Sequence, residues 1–159
     1  MQEKLIKLLK KDARLSNEEL AVMLGVSPKD VSDEIEELEK SGTIRGYTAI
    51  LDENQLHDNS VTAIIEVKVV PEAKHGYKSV AKIIAKFPEV ESVYLMSGDY
   101  DLAVTVRGAD LKQVALFVSM QLSTIRGVES TATHFVIGYY KNFGEEFDFD
   151  NDERGMVSP

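Results

Sequence analysis

Leu5, Leu8 and Leu9 stand at i, i+3 and i+4, and this spacing predicts an amphipathic helix over residues 3–12 with one apolar face. Lys4, Lys7 and Lys11 share another face of it. Ser16-Asn17-Glu18-Glu19 has the spacing of a capping box, in which Ser16 caps the Glu19 amide and Glu19 reaches back to the Ser16 amide. The box opens a second helix over about 17–24 that buries Leu20, Ala21 and Leu24. Gly25 supplies the backbone freedom of a sharp turn. Ser27 then caps a third helix, with Pro28 at the first helical position, where a missing N–H is harmless. Val31, Ile35 and Leu38 form its core stripe, and Gly42 ends it. Two short helices joined by a glycine turn have the pattern of a helix-turn-helix; a plain helical hairpin gives the same pattern.

Residues 43–51 predict an extended segment, and the polar run 52–59 predicts a boundary between domains. Beyond it the periodicity alternates. Residues 60–70 are rich in Val and Ile and predict a strand, and Tyr77, Val80, Ile84 and Phe87 keep helical spacing. Strands are expected over 90–97 and on through Arg107, on either side of a turn at Gly98-Asp99. Leu111, Val114, Val118 and Leu122 predict a helix, and residues 131–140 a last strand. The order is β-α-β-β-α-β, the ferredoxin-like arrangement. An internal echo agrees with a doubled βαβ unit: Val90-Glu91-Ser92 recurs as Val128-Glu129-Ser130, and the same offset carries Val80 onto Val118, Ile84 onto Leu122 and Phe87 onto Ile125. The expectation is an α+β chain. It has a helix-turn-helix domain at 1–50, a linker at 51–59, a ferredoxin-like domain at 60–144 and an acidic tail at 145–159.

Composition narrows the classes. The apolar fraction of 43% supports a packed core. No apolar run approaches the roughly 20 residues of a membrane span, and Met1-Gln2-Glu3-Lys4 leads into no secretory core. With no cysteine, disulfides, thiolate chemistry and cysteine-ligated zinc are excluded. A cytoplasmic protein is expected. The net charge of −9 argues against a generic nucleic-acid binder, whose affinity comes from Lys and Arg on phosphates. The excess is uneven, however: residues 1–50 and 51–144 each carry −2, and 145–159 carry −5. That tail alternates acids with Phe147 and Phe149. It reads as a solubilising end or as a segment that docks across a neighbouring subunit through the two phenylalanines.

Three stretches point to a family. They are Lys11-Asp12-Ala13-Arg14-Leu15-Ser16 through Glu19-Leu20-Ala21 and Gly25-Val26-Ser27-Pro28; Leu38 through Tyr47 with Ala49 and Leu51-Asp52; and Ser97-Gly98-Asp99-Tyr100-Asp101-Leu102. In this order and spacing the chain resembles the Lrp/AsnC (feast/famine) regulators from residue 3 to about 141. The resemblance implies a winged or simple helix-turn-helix and a β-α-β-β-α-β effector domain. It also implies homodimers that assemble to tetramers or octamers on double-stranded DNA. An amino acid or related small molecule is expected between dimers, near the glycine-aspartate loop.

Under that resemblance the third helix faces the major groove. With its core stripe inward, Lys29, Asp33, Glu36, Glu37 and Lys40 point outward, three acids against two lysines. Acids near phosphates are repelled, although they can accept from cytosine. Ser27, Lys29 and Ser32 lie at the start of the helix, and Ser27 already has a capping role. Lys4, Lys7, Lys11, Arg14 and Arg45 are candidate phosphate contacts. In the Ser97–Asp101 loop, Gly98 permits close approach, and Asp99 and Asp101, with Ser97, Tyr100 and exposed amides, could meet the ends of an amino acid. Thr131, Thr133 and Thr124 are hydroxyls near the same place, or simply one face of a strand. His57, His75 and His134 are far apart and lack an i+4 metal partner. No nucleophile elbow, dinucleotide fingerprint or P-loop occurs, so neither a cofactor nor an enzyme is expected. Two functional readings remain. One is an effector-modulated DNA-binding regulator; the other is a ligand-binding oligomer that has lost DNA affinity and acts through a protein partner.

Overall fold

The computed structural model describes residues 1–56, 59–71 and 76–147, so His57, His75, Phe149 and the tail from 148 lie outside it. The chain divides into two compact units, Met1–Ile50 and Leu51–Pro159.

The first unit is three helices: α1 (Gln2–Lys11), α2 (Asn17–Leu24) and α3 (Pro28–Lys40). Leu5, Leu20, Ala21, Val31 and Leu38 are buried at their centre, with Leu8, Leu9, Ile35 and Ile44 packed around them. Local chemistry sets the helix ends. The Glu19 amide donates to Ser16 Oγ at 3.2 Å and the Ser16 amide to Glu19 Oε2 at 2.8 Å. Gly25 takes φ +68°, a left-handed conformation that lets the Val26 amide return to the Ala21 carbonyl at 3.1 Å. A second reciprocal box starts α3. The Asp30 amide donates to Ser27 Oγ at 3.2 Å, while the Ser27 amide and hydroxyl donate to Asp30 Oδ2 at 3.1 and 2.7 Å. Residues 43–50 form no strand. Instead the segment is laid along α3 by the Tyr47 hydroxyl, which donates to Glu39 Oε1 at 3.0 Å.

The second unit holds β1 (Val61–Val69), α4 (Lys78–Ile84), β2 (Val90–Leu95), β3 (Leu102–Gly108), α5 (Leu111–Met120), a 3-10 turn at Leu122–Thr124, and β4 (Val128–Phe135). The strands form one antiparallel sheet in the order β2-β3-β1-β4. Alternation divides its faces. Ala63, Ile65 and Val67 of β1 pair with Val106, Val104 and Leu102 of β3, and all six are buried under the helices. Thr62, Ile64 and Glu66 point to the opposite face, where Ile64 is 43% exposed. The helices close the core with Val80, Ile84, Val114 and Phe117, and Phe87 meets Phe117 edge to face at 5.4 Å. The echo has a structural meaning. Val90 and Val128 open the two return strands, and the matched pairs Val80/Val118, Ile84/Leu122 and Phe87/Ile125 all pack on one core.

Three boundaries differ from expectation. The last strand was expected at 131–140, but pairing begins at Val128 and ends at Phe135. Gly127, at φ +96° and tight against Val80, turns the chain directly into the ladder, and its carbonyl takes the Val70 amide at 2.8 Å. The end expected after residue 144 falls inside a hairpin of β5 (Lys141–Asn142) and β6 (Glu145–Glu146). Its two central residues, Phe143 and Gly144, have φ of 49° and 93°, the signs of a primed turn that matches strand twist. The polar stretch expected as a linker is bound to the second unit where it is described. Asn54 Nδ2 donates to the Tyr139 carbonyl at 3.1 Å and Asn54 Oδ1 accepts the Tyr139 amide at 3.4 Å. Arg107 pairs with Glu53 at 2.8 Å and Glu91 at 3.0 Å, and donates to Ser60 Oγ at 3.1 Å.

Candidate DNA-binding and effector sites

The two capped helices α2 and α3 with the left-handed Gly25 between them make a helix-turn-helix. Lys29, Ser32, Asp33, Glu36, Glu37 and Lys40 are all exposed on α3. They are not equally available. Lys40 is ion-paired with Glu36 one turn earlier, and the Glu36 carboxylate, by hydrogen bond and by charge, holds the Lys40 ammonium above the ordinary lysine range. The Ser27 hydroxyl is spent on Asp30, whose carboxyl it holds below the usual value of 3.8. Ser27 is therefore a cap before it is a contact. Lys29 has no ion pair among the described residues, and neither do Lys4, Lys7, Lys11 and Arg14. All of these are exposed. Arg45 is folded back: a Cβ on Gly42 would meet its guanidinium carbon at 2.8 Å. The guanidinium thus covers the C-terminal end of α3, where helix carbonyls favour a cation.

In the second unit the loop Ser97–Asp101 joins β2 to β3 at one end of the sheet. It is closed by the Met96 amide on the Asp101 carbonyl at 2.8 Å and anchored by the Asp101 amide on the Val67 carbonyl at 3.1 Å. Gly98 sits at φ +135° with nothing within 4 Å of a would-be Cβ. The space beside it is open, but its backbone conformation is one that side-chain-bearing residues rarely adopt. Ser97, Gly98 and Asp99 are exposed and Tyr100 is half-buried. Asp101 differs: its Oδ2 accepts the Val69 amide at 2.8 Å, which makes this carboxylate part of the framework. No pattern in sequence signalled that role, because the partner is 32 residues away.

Thr131 pairs with Val67 and Thr133 with Ile65, so both threonines lie on the helix side of the sheet. Thr131 shares the loop's end of the sheet. It is across β1 from the loop's anchor, two strand spacings or about 10 Å away. Its hydroxyl lies 3.4 Å from that of Ser123. Thr124 turns away, donating to the Met120 and Gln121 carbonyls. His134 is on the other face, 3.4 Å from Glu66. Thus the structure brings Thr131 toward the glycine-aspartate loop and leaves Thr124 and His134 out of it.

Comparison with known proteins agrees with both units. Residues 1–45 match the family described as winged helix-turn-helix DNA-binding, and residues 62–145 match the Lrp/AsnC ligand binding domain. The chain is 42% identical to the HTH-type transcriptional regulator YugG of Bacillus subtilis over 160 residues, covering 99% of this chain and 96% of that one. It is 31% identical to the leucine-responsive regulatory protein of Escherichia coli, over 81% of this chain and 78% of the relative. Among solved structures, a transcriptional regulator of Neisseria meningitidis in complex with L-Met superposes with a TM-score of 0.68 at 26% identity, covering 87% of this chain and 89% of that one. LrpC of B. subtilis gives 0.62 at 27%, covering 88% and 94%. A capped helix-turn-helix and a ligand-binding α+β unit on one chain, matched over nearly its whole length, place it in the Lrp/AsnC family of DNA-binding transcriptional regulators.

Proposed function

We propose that the chain is a cytoplasmic regulator that binds double-stranded DNA as a homodimer or a larger assembly, and that an amino acid adjusts its DNA affinity. The observation that carries the effector half is the open, glycine-built loop at the end of the sheet, where Gly98 leaves room beside Ser97 and Asp99. Exposed amides and a carboxylate at one place suit the two charged ends of an amino acid, with Tyr100 in the same loop and Thr131 at the same end of the sheet, Thr133 lying two residues further along β4. Asp101 contributes by holding the loop in place. The related Neisseria regulator, seen with L-Met, supports this ligand class.

For DNA, Lys4, Lys7, Lys11, Arg14 and Arg45 would take phosphates, and Lys29 and Ser32 would approach base edges at the start of α3. Asp33, Glu36 and the Glu36-paired Lys40 make the rest of that face repellent or neutral, so binding depends on salt and on avidity between subunits. A ligand that favours one assembly over another would change the spacing of the recognition helices and hence affinity. Fluorescence anisotropy with DNA from upstream of its own gene, beside scrambled DNA and across an amino-acid panel, tests the reading. A preference for the upstream DNA that one amino acid shifts supports it; equal binding to both DNAs at low salt rejects it. The acidic face of α3 favours the second reading, an oligomer acting through a protein partner, and that rejecting outcome would select it.

A further inference from the structure

Residues 77–87, Tyr-Lys-Ser-Val-Ala-Lys-Ile-Ile-Ala-Lys-Phe, hold three lysines and no acid in a chain of net charge −9. Lys78 and Lys82, four residues apart, lie on one side of α4, and Lys86 follows in the turn after it. All three are exposed, and none has an ion pair among the described residues. Next to them, between α4 and the edge strand β2, lies a groove of about 580 Å³. Tyr77, Ala81, Val93, Leu95 and Leu102 line it, and Lys78 and Lys82 stand at its margin. Leu95 pairs with Leu102 on the helix side of the sheet yet is 67% exposed, because among the described residues no strand lies beyond β2 and α4 leaves it uncovered.

An apolar floor with a cationic margin fits a partner that is apolar and acidic in alternation. This chain carries one: Glu145-Glu146-Phe147-Asp148-Phe149-Asp150-Asn151-Asp152-Glu153. A DNA backbone would satisfy the lysines and leave the leucines in water. The tail satisfies both, with aromatic rings for the floor and carboxylates for the ammonium groups.

The position of the hairpin favours a tail from another copy over the chain's own. β4 ends beside the start of β1, where the Val136 amide donates to the Thr62 carbonyl at 2.9 Å. The groove lies at the other end, where Leu102 pairs with Val67, and at the opposite edge of the sheet. Before the hairpin the chain is held at Tyr139 by Asn54, whose neighbour Glu53 pairs with Arg107, five residues along β3 from Leu102 and on the sheet face away from the helices, so roughly 15 Å of strand separates that point from the groove. Phe147 is tied to the hairpin by its amide on the Tyr140 carbonyl at 2.9 Å. Phe149, two residues further on, extends the reach by about 7 Å at most. We propose that the acidic-aromatic end of one chain docks in the α4–β2 groove of a second copy, with Phe149 on the apolar floor and the flanking aspartates against Lys78 and Lys82.

Sedimentation velocity of full-length chains tests this by charge exchange. Lys78→Glu/Lys82→Glu and Asp148→Lys/Asp150→Lys should each sediment as a smaller species than the unaltered chain, and an equimolar mixture of the two should recover the larger one. A fluorescent peptide of residues 144–159 should bind the unaltered chain at micromolar concentration, with at least tenfold weaker binding for the Phe149→Ala peptide. Unchanged sedimentation in both variants, or no recovery on mixing, overturns the proposal. So does a peptide that fails to bind a chain with unaltered circular dichroism. Loss of DNA affinity in the lysine variant without any change in sedimentation would assign the lysines to DNA and equally overturn it.

Discussion

The Asp101 carboxylate accepts the Val69 amide at 2.8 Å, at the one place where the β1–β4 register shifts. The extra residue of that bulge is Glu129 of β4, whereas the Val69 amide faces the β3 side, where the ladder ends at the Val67–Leu102 pair, and the Asp101 side chain of the Ser97–Asp101 loop supplies its acceptor. The loop and the end of β1 are therefore tied together. Asp101→Ala should destabilise the chain by about 1.5–3 kcal/mol, the range for a hydrogen bond to a charged group. Asp101→Asn, which keeps an acceptor oxygen, should lose less. Urea unfolding reads both, and an unshifted midpoint in the alanine variant would show that the amide finds another partner.

Gly98→Val is expected to spare the fold and remove the effector response. The cost comes from φ +135°, since no atom lies within 4 Å of the added Cβ. Strain of this kind amounts to about 1–3 kcal/mol. The loop should relieve it by changing conformation and losing its ligand geometry. Calorimetric titration with the effector identified by the amino-acid panel decides: unchanged affinity removes the loop from the binding site.

Glu36→Gln should tighten DNA binding. It releases Lys40 from its ion pair and deletes a negative charge from the α3 face proposed to meet DNA. Affinity should rise several-fold, and the slope of log K against log salt should steepen by about 1, the signature of one added phosphate contact. No change in slope would mean that Lys40 points away from the duplex.

Ser27→Ala removes half of the capping box on α3 and should cost about 1 kcal/mol. It should also move Asp30. In the folded chain the Ser27 hydroxyl and amide hold the Asp30 carboxyl below 3.8. A carboxyl with a lowered value contributes its stability above the unfolded value and loses it as pH falls through the folded one. The variant's Asp30 should titrate closer to 3.8, as read by the NMR shift of its carboxyl carbon. An unmoved titration would show that Ser27 is not the cause.

The helices were legible because their signals are local. Ser16 and Glu19, Gly25, and Ser27 with Pro28 mark ends that need no knowledge of the rest of the chain. Asp30 was not legible as a capping partner because the usual signature carries Glu or Gln at that position, yet the shorter Asp reaches Ser27 as well. The order of elements, β-α-β-β-α-β, followed from alternation and helical spacing. What was not legible depends on contacts distant in sequence. Asp101 reads as a ligand group until Val69 is seen against it, and the polar run around Asn54 reads as a linker until Tyr139 is seen. The start of β4 depended on how Gly127 packs on Val80, which no pattern near residue 128 announces. The α3 face was legible in its charges but not in its pairing of Lys40 with Glu36.

Asn54 and Tyr139, 85 positions apart, exchange hydrogen bonds in both directions. Asn54 lies where the polypeptide comes in from the helical unit, and Tyr139 lies just before the β5–β6 hairpin and the acidic end. The stretch entering the second unit and the stretch leading to the hairpin consequently meet at one stapled joint. A pull on the acidic end and a pull on the stretch leading to the helices would load the same two residues. Unzipping that joint would free at once the few described residues on each side of it, around Asn54 and around Tyr139.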